Sequence, residues 1–407
     1  MPLVVQKYGG TSVGDASRIR AVAQRVAARR RSGDGVVVIV SAMGHTTDEL
    51  IRLSREVSEH LHPREMDMLL TAGERISMAL LAMAIRDEGV EAMSLTGSQA
   101  GILTDTSHGQ AKIRDIKAFR VEEGLAAGKV VIVAGFQGVS PDTHEITTLG
   151  RGGSDASAVA MAAALHADCC EIYTDVDGVF TADPRVVPHA RKLDEISYEA
   201  MLELASAGAK VLMGRSVEFG MRFNVPIHVR SSFHDRPGTW VKETTMEQAI
   251  ISGVAHDTST AKVTVRGVPD NPGVAASLFR PLADEGVMVD MIVQNVSSDG
   301  ATDISFTVPL EHLDATRPIT EAAALRIGAT SVEVDEQVGR VSIVGSGMRA
   351  HPGVAATMFT VLADAGINIA MISTSSIRVS CVIAASQVDE AVRRLHDAFI
   401  TPEMEAT

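Results

Sequence analysis

Two segments in the C-terminal part of this 407-residue chain repeat one another. Pro272–Ile292 and Pro352–Ile372 are identical at 12 of 21 aligned positions, at a constant spacing of 80 residues. Chance does not produce this similarity, so the sequence predicts a duplicated unit of about 80 residues. Each unit has the pattern strand, Pro-Gly turn, amphipathic helix, strand, strand, helix, which resembles the ferredoxin-like βαββαβ arrangement. Gly286 and Gly366 mark the end of the first helix in each unit.

The region before the repeats alternates short apolar runs with helical patterns, which predicts an α/β fold with an open, mostly parallel sheet sandwiched by helices. The run Val36–Val40 is apolar at every position, as expected of a strand buried on both faces. The predicted strands are Leu3–Gln6, Val36–Ser41, Ala92–Leu95, Val130–Ala134, Glu171–Thr174 and Pro226–Val229. The predicted helices are Asp15–Arg31, Arg64–Asp87, Ser154–His166, Tyr198–Ala205 and Gly214–Met221.

The length of the chain predicts two or three domains. Phe233–Met246 contains Asp, Arg, Pro and Gly followed by charged and hydroxyl residues, a composition typical of a linker. We therefore expect an α/β domain over residues 1–245, a first repeat unit over 246–330 and a second over 331–407.

Charge and composition exclude several classes of partner. The formal net charge is −14 and aromatic residues make up 3% of the chain, which argues against nucleic-acid and anionic membrane partners. The sequence shows neither a signal peptide nor a continuous apolar run of membrane-spanning length. Cys169, Cys170 and Cys381 lack metal-site spacing and are expected to be reduced thiols. We expect a cytoplasmic protein.

The first candidate site, Lys7–Val13, directly follows the first strand. Gly9 and Gly10 let the backbone approach a ligand closely, and successive N–H groups can form an anion-binding concavity. Lys7 adds a compact positive charge suited to a phosphoryl oxygen. The alternative is a tight strand-to-helix turn without a ligand. The GxxxxGK[ST] pattern is absent, so a Walker-type enzyme is excluded.

A second glycine-rich turn, Gly150–Asp155, opens another helix. Arg151 could hold a carboxylate through two parallel hydrogen bonds, whereas Asp155 could simply favour the helix dipole. Thr174–Arg185 follows a strand, where ligands usually lie in open α/β sheets, although such Asp/Gly/Pro clusters are also common in loops. Two anion sites in one sheet fit a phosphate donor facing an acidic acceptor.

Taken together, these motifs resemble the aspartokinase branch of the amino-acid kinase family. The repeat units resemble ACT domains, which bind amino acids and regulate metabolic enzymes. The resemblance implies transfer of the γ-phosphoryl group of ATP to the side-chain carboxylate of L-aspartate, giving 4-phospho-L-aspartate. This would be the first step toward lysine, threonine and methionine, with feedback regulation by end-product amino acids. The further matching segments are Val40–Met43, Thr46–Asp48 and Leu70–Arg75.

The resemblance also assigns roles to individual residues. Lys7 and Asp155 are the implied catalytic pair. The implied aspartate-binding residues are Ser41, Thr47, Glu74, Arg151, Gly152, Gly153 and Ser154. The implied nucleotide-binding residues are Lys7, Tyr8, Gly9, Gly10, Ser41, Thr174, Asp175, Phe180, Asp183, Arg185 and Lys210.

The chemistry requires charge neutralisation rather than a general base. A carboxylate acceptor with a reference pKa of about 3.9 is already ionised at neutral pH. The difficulty is bringing this carboxylate close to the ATP polyanion. Catalysis therefore depends mainly on positioning and on neutralisation of charge by cations, and Mg²⁺ bound to ATP is expected to share the neutralisation. The 13 histidines show no ligand spacing, so we expect no metal site built by the protein alone.

The repeats predict a sensing function. The Pro-Gly-Val-Ala-Ala segment opens a helix whose N–H groups can hold an amino acid's carboxylate, and Asp270 could hold its ammonium group. Ala350 and Ala370 replace Asp270 and Asp290 in the second copy, so the first unit is expected to dominate. The predicted effectors are lysine, threonine or both. The predicted effector-binding residues are Asp270, Gly273, Val274, Ala275, Asp290, Gln294, Asn368 and Ile369.

Three other functions compete with this one: a same-fold enzyme with another acceptor, an amino-acid sensor with an inactive kinase half, and a purely structural protein. Glu74 with Arg151 argues against UMP as the acceptor, and the presence of Lys7 and Asp155 argues against an inactive kinase. We expect a homo-oligomer formed through the repeats, with a shorter regulatory subunit from Met246 as a further possibility. His45 and Ser376 depart from the family pattern, and Ser376 could alter the effector response.

Overall fold

The structure is a computed structural model that describes residues 2–244, 249–295 and 300–400, with only the backbone at 349 and 350. Met246 lies outside the described residues. The chain divides into two compact units, each described by itself below. The first comprises Met1–Val179, Lys192–Ala205 and Lys210–Met246, and the second comprises Phe180–Arg191, Ser206–Ala209 and Glu247–Thr407.

Helices and strands alternate through most of the chain. The helices are α1 (Ala16–Arg31), α2 (Thr46–Val57), α3 (Pro63–Asp87), α4 (Phe119–Ala126), α5 (Gly153–Ala164), α6 (Tyr198–Ser206), α7 (Gly214–Phe223), α8 (Val274–Asp284), α9 (Leu313–Ile327), α10 (Val354–Asp364) and α11 (Val388–Phe399). The strands are β1 (Leu3–Tyr8), β2 (Gly35–Val40), β3 (Ala92–Leu95), β4 (Ile102–Thr104), β5 (Ile113–Ile116), β6 (Val130–Ala134), β7 (Gln137–Val139), β8 (Ile146–Thr148), β9 (Cys169–Thr174), β10 (Glu195–Ile196), β11 (Ile227–Ser231), β12 (Thr239–Val241), β13 (Gly253–Asp257), β14 (Thr260–Pro269), β15 (Ile292–Gln294), β16 (Ala301–Pro309), β17 (Ser331–Asp335), β18 (Val338–Val344), β19 (Met371–Thr374) and β20 (Arg378–Ala384).

The first unit is built on an 8-stranded sheet with the order β10-β12-β11-β9-β1-β2-β6-β3. Strands from β3 to β11 across this order run parallel, which confirms the predicted mostly parallel sheet. The interpretation of Phe233–Met246 as a linker was wrong in part, because Thr239–Val241 forms β12 and pairs antiparallel with β11. The run is only three residues long, and its Thr-Trp-Val composition suits a strand once a partner is available.

Helices cover both faces of this sheet because successive residues of a strand point to opposite sides. Val36, Val38 and Val40 of β2 pack in one core cluster with residues of α1 and α3, including Leu81. On the other face, α5 contacts β1, β2 and β9, and α4 contacts β6. Strand β2 is apolar at every position because its side chains are buried against helices on both faces of the sheet.

A smaller sheet with the order β5-β4-β7-β8 also belongs to the first unit and was not predicted. Its strands have three or four residues, and Ile113–Ile116 includes the charged pair Arg114 and Asp115. Such short runs carry too little alternation to be distinguished from loops by sequence pattern alone.

Helix α3 is the one described helix that is long and apolar enough to cross a membrane by length and composition. Core helices meet the same criterion. Leu81 and Ile85 of α3 are fully buried in the cluster shared with α1 and the sheet, and α3 also buries the polar residues Asp67 and Glu74. We therefore interpret α3 as a core helix.

The second unit contains two 4-stranded sheets, one for each sequence repeat. The first has the order β15-β16-β14-β17 and, with α8 and α9, follows βαββαβ as predicted. The φ angles of Gly286 and Gly366 are 71° and 69°, left-handed values that end α8 and α10 at the expected residues.

The second sheet, with the order β13-β18-β20-β19, takes one strand from before the first repeat. β13 pairs antiparallel with β18, with Val254 opposite Ile343. The expected boundary that placed all of residues 246–330 in the first unit therefore needs correction, because β13 belongs to the second sheet. Identity between the repeats could not show this, since β13 lies outside the repeated segments.

Candidate functional site

The carboxyl ends of three neighbouring parallel strands meet at the first glycine turn. Ser41, after β2, donates its N–H to the Tyr8 carbonyl at 3.1 Å. Gly9 donates to the carbonyl of Tyr173 in β9 at 3.3 Å, and Gly44 donates to the Gly10 carbonyl at 3.0 Å. Because ligands of open α/β sheets lie beyond the carboxyl ends of the strands, this edge is the candidate site.

Gly10 is required by the closeness of the backbones at this edge. A Cβ atom there would lie 2.9 Å from the Ala42 carbonyl oxygen, closer than side chains are found. The Tyr8 ring is fully buried and stacks on Tyr173 with centroids 4.7 Å apart. Of the predicted nucleotide-binding residues, Tyr8 can therefore offer only backbone atoms to this edge.

Lys7 and Asp155 form an ion pair between the two glycine turns, with Nζ and Oδ1 2.6 Å apart. Both side chains are about nine-tenths buried. Lys7 is the penultimate residue of β1, and Asp155 lies in the first turn of α5. The structure thus brings together two residues that are 148 positions apart (155 − 7) and that the sequence analysis paired only by family resemblance.

The second glycine turn has a backbone that other residues rarely adopt. Gly152 has φ of 69°, and a Cβ atom there would lie 2.0 Å from Met213 Cγ. Gly153 then begins α5 and donates its N–H to the Gly150 carbonyl at 3.0 Å. Ser154 is buried at the same helix start. The positive end of α5 is thereby directed to the edge that holds Lys7.

Glu74 is a buried carboxylate beside the first turn. A Cβ atom at Gly73 would lie 2.7 Å from the Ala42 Cβ, so glycine lets α3 approach closely here. Glu74 Oε1 accepts the Ala42 N–H at 3.1 Å, whereas Oε2 has no hydrogen-bond partner among the described residues. Burial raises the pKa of Glu74 to about 7. An unpaired buried oxygen fits a cationic donor from a ligand.

The remaining predicted substrate residues are more exposed. Thr47 lies in the first turn of α2 and is half-buried, and Arg151 is exposed in the second glycine turn. His45, one of the two departures from the family pattern, is exposed, and its Nδ1 lies 3.5 Å from Asp48 Oδ2. Ser376 is exposed in the second unit. The roles predicted for these residues remain predictions.

The predicted nucleotide-binding residues are divided between the two units. Thr174, Asp175 and Lys210 belong to the first unit, with Thr174 directly at the end of β9. Phe180, Asp183 and Arg185 belong to the second unit. There Arg185 donates to both carboxylate oxygens of Asp183, which lowers the pKa of Asp183. Their contact with a nucleotide remains a prediction.

The predicted effector residues all lie in the second unit. Asp270 is exposed at the end of β14, and Gly273, with φ of 93°, precedes the first turn of α8 formed by Val274 and Ala275. Strands β15 and β19 contact one another beside a small apolar cluster. Gln294 is exposed in β15, and Asn368 and Ile369 precede β19.

Asp290 has a partner that the sequence analysis did not foresee. Its carboxylate pairs with Arg340, a buried residue of β18 that also donates to the Ser206 carbonyl at 2.7 Å. Any ligand that used Asp290 would have to share or replace this guanidinium. The pair links the two repeat units through one ion contact.

Asp67, a buried carboxylate that was not predicted from the sequence, contacts β8 just before the second glycine turn. Asp67 is fully buried on α3 and accepts hydrogen bonds from the Gly109 N–H at 3.1 Å and the Thr148 hydroxyl at 2.5 Å. Its Oδ2 lies 2.6 Å from His108 Nδ1. The available signal was helical spacing, since Asp67 shares the buried face of α3 with Thr71 and Glu74.

The comparisons with known proteins agree with this architecture. The profile of the amino acid kinase family matches residues 2–231, and the ACT domain profile matches residues 263–319 and 341–399. An aspartokinase of Mycolicibacterium smegmatis is 58% identical over 407 residues, which cover 98% of this chain and 96% of the relative. An aspartokinase of Corynebacterium glutamicum is 55% identical over 405 residues with the same coverage.

The crystal structure of E. coli aspartokinase III in complex with aspartate and ADP has a TM-score of 0.84 at 26% identity. The alignment covers 98% of this chain and 100% of that one. The same enzyme in complex with lysine and aspartate has a TM-score of 0.74 at 27% identity. The parallel sheet, its flanking helices and the two glycine turns together make up the amino acid kinase fold. The chain belongs to the amino acid kinase family, in its aspartokinase branch, and carries ACT domains.

Proposed function

We propose that the protein transfers the γ-phosphoryl group of ATP to the side-chain carboxylate of L-aspartate, producing 4-phospho-L-aspartate. The observation that carries the proposal is the Lys7–Asp155 ion pair, set between two glycine-rich turns at one sheet edge. Aspartate and ADP are the ligands named for E. coli aspartokinase III, which aligns with nearly the whole chain.

The inventory of groups suits an anionic acceptor. The aspartate carboxylate is ionised at neutral pH, so the reaction needs no general base. Lys7 would stabilise charge on the transferring phosphoryl group, and Asp155 would hold the Lys7 ammonium in position. N–H groups of the two glycine turns would bind phosphoryl and carboxylate oxygens. The nucleotide substrate is MgATP, whose cation shares the charge neutralisation.

Glu74 and Arg151 would orient the amino acid. The unpaired Oε2 of Glu74 suits the α-ammonium group, and a guanidinium suits the α-carboxylate. Fixing both ends of aspartate leaves its side-chain carboxylate as the group presented to the phosphate donor. A nucleotide acceptor such as UMP offers no ammonium group to Glu74.

The direct test is ATP turnover with three acceptors: L-aspartate, L-glutamate and N-acetyl-L-glutamate. We expect turnover with aspartate alone, because glutamate is one methylene longer and its acetylated form lacks the ammonium group that Glu74 would bind. Turnover with N-acetyl-L-glutamate but not with aspartate would overturn the proposal. Each assay is repeated with lysine and with threonine to detect feedback.

The finer features of this function are part of the same proposal. We place the enzyme in the cytoplasm, at the first step toward lysine, threonine and methionine, as a homo-oligomer associated through its ACT units. Lysine is a further ligand named for the E. coli enzyme, which supports an amino-acid effector here.

Arg151→Lys is expected to raise the KM for aspartate roughly tenfold with little change in the KM for ATP. Lysine keeps the charge but loses the planar fork that binds a carboxylate through two hydrogen bonds, at a cost of about 1.5 kcal/mol. Steady-state kinetics with each substrate varied in turn gives both constants. An unchanged KM for aspartate with a raised KM for ATP would move Arg151 to the nucleotide.

Asp270→Ala is expected to relieve inhibition by lysine or threonine and to leave the uninhibited kcat unchanged. Asp270 lies between the end of β14 and the start of α8, so its carboxylate would hold an effector's ammonium group while the helix N–H groups hold the effector's carboxylate. Inhibition curves of wild type and variant provide the measurement. Asp284→Ala, at the opposite end of α8, is the matched control. Identical curves would show that Asp270 does not bind the effector.

A further inference from the structure

Two histidines and an aspartate to which no role is assigned above come together in the second unit. His189 lies in the segment Phe180–Arg191, and His396 and Asp397 are adjacent in the last turn of α11. One ligand atom from each of the three lies within 4.8 Å of the others. His189 Nε2 is 2.8 Å from Asp397 Oδ1, and His396 Nδ1 is 3.9 Å from the same oxygen.

The buried histidine has one ring nitrogen without a partner. His396 is 2% exposed, and its Nδ1 makes no hydrogen bond among the described residues. That atom faces the Asp397 carboxylate and the exposed His189 ring, which packs edge-on against His396 with centroids 5.1 Å apart. An unsatisfied nitrogen of this kind is costly in a folded protein and calls for a ligand or a partner.

The other ring nitrogen of His396 is held in a way that exposes the Nδ1 lone pair. Nε2 lies 2.9 Å from the hydroxyl of the buried Thr181, and that hydroxyl also accepts the Arg191 N–H at 3.0 Å. When Nε2–H donates to Thr181, the neutral imidazole presents Nδ1 as an acceptor. Metal-binding histidines are typically fixed by a second hydrogen bond of this type.

We propose that His189, His396 and Asp397 form a binding site for a borderline divalent transition metal such as Zn²⁺. Two imidazoles and one carboxylate match the donor set of such ions, and three protein ligands leave a fourth position for water. Mg²⁺ prefers oxygen ligands and is therefore not the expected ion.

The geometry requires only side-chain adjustment. Tetrahedral Zn²⁺ with bonds of about 2.0–2.1 Å separates its ligand atoms by about 3.4 Å. The His189–Asp397 contact would open slightly from 2.8 Å, and the His396–Asp397 distance would close slightly from 3.9 Å. The side chains of His189 and Asp397 are both more than half exposed. Arg191 is the nearby cation that opposes the ion, and the Asp397 carboxylate offsets its charge.

Such an ion would fasten the segment Phe180–Arg191 to α11. This segment carries Phe180, Asp183 and Arg185, which the sequence analysis assigned to the nucleotide. Its described contacts to the rest of the second unit include the hydrogen bond from the Val254 N–H to the Thr181 carbonyl at 2.8 Å. Metal binding would add a link at the other end of the segment, and we expect it to raise thermal stability.

The experiment is a zinc titration of the untagged full-length chain after treatment with a chelator. Wild type is expected to bind one Zn²⁺ per chain, with a rise in the midpoint of thermal unfolding. Co²⁺ in the same position should give a visible absorption band of tetrahedral type. His189→Ala and Asp397→Asn change exposed side chains, so they should fold normally and lower zinc affinity more than about tenfold.

Two further variants separate ligation from general effects. Thr181→Val removes the acceptor for His396 Nε2–H and is expected to weaken zinc binding about tenfold. His234→Ala is the matched control, because His234 makes a similar imidazole–carboxylate contact with Asp177 at 2.6 Å but has no third ligand among the described residues. The absence of one-to-one zinc uptake by wild type, or equal uptake by the His189 and His234 variants, would overturn the proposal.

Discussion

Lys7→Ala is expected to lower kcat by about 10²–10³-fold, the effect of removing one positioned donor from a site that stabilises developing negative charge. The Lys7 ammonium is largely buried and held by Asp155 at 2.6 Å, so it is oriented before substrates arrive. Water that enters in its place cannot supply a fixed positive charge. Steady-state kinetics with saturating ATP and aspartate gives kcat directly.

The control for this variant is Lys242→Ala, which removes a partly exposed lysine paired with Glu195 in the same unit. It is expected to retain wild-type kcat. Because Lys7→Ala leaves Asp155 buried without its partner, thermal unfolding of both variants must be measured alongside the kinetics. A folded Lys7→Ala protein that kept more than half of the wild-type kcat would refute the catalytic assignment.

Glu74→Gln is expected to raise the KM for aspartate roughly 30–150-fold, which corresponds to about 2–3 kcal/mol. Glutamine has the same shape and can still accept the Ala42 N–H, but it carries no charge for the substrate ammonium group. The amide NH₂ would instead face that ammonium group. Glu65→Gln, an exposed position on the same helix, is the matched control and should leave KM unchanged.

The same variant has a signature in its pH profile. Because burial raises the pKa of Glu74 to about 7, a growing fraction of the enzyme carries a neutral Glu74 as the pH falls. Wild-type kcat/KM for aspartate should therefore decline toward tenfold per pH unit below about 7. The Glu74→Gln profile should lack this inflection. An identical inflection in both proteins would assign it to another group.

The long, apolar elements of the fold could be predicted from the sequence because burial determines their pattern. Val36–Val40 and Val130–Ala134 are apolar throughout and form interior strands of the large sheet, each paired on both sides. Short strands such as Thr239–Val241 and Ile102–Thr104 could not, since they depend on a partner strand elsewhere in the chain. Local pattern contains no information about that partner.

The candidate site shows the same division. The glycine turns could be predicted from the sequence because a local backbone conformation requires glycine there. Gly152, for example, has a left-handed φ. The pairing of Lys7 with Asp155 came from family resemblance. Three sets of contacts were not predicted, because they join side chains that are distant in sequence: those of Asp67, the Asp290–Arg340 pair and the His189–His396–Asp397 cluster.

The strand that precedes the first repeat has a consequence for how the C-terminal region is synthesised and cut. β13 pairs with β18, whose central residues lie about ninety positions later in the chain. The second sheet can therefore form only after the intervening unit has emerged from the ribosome. If that unit folds first, its compact ends shorten the effective loop and reduce the entropy of closure. A fragment beginning at Thr260 would lack an edge strand of the second sheet and leave β18 open to intermolecular pairing. A fragment beginning before Gly253 would keep both sheets complete.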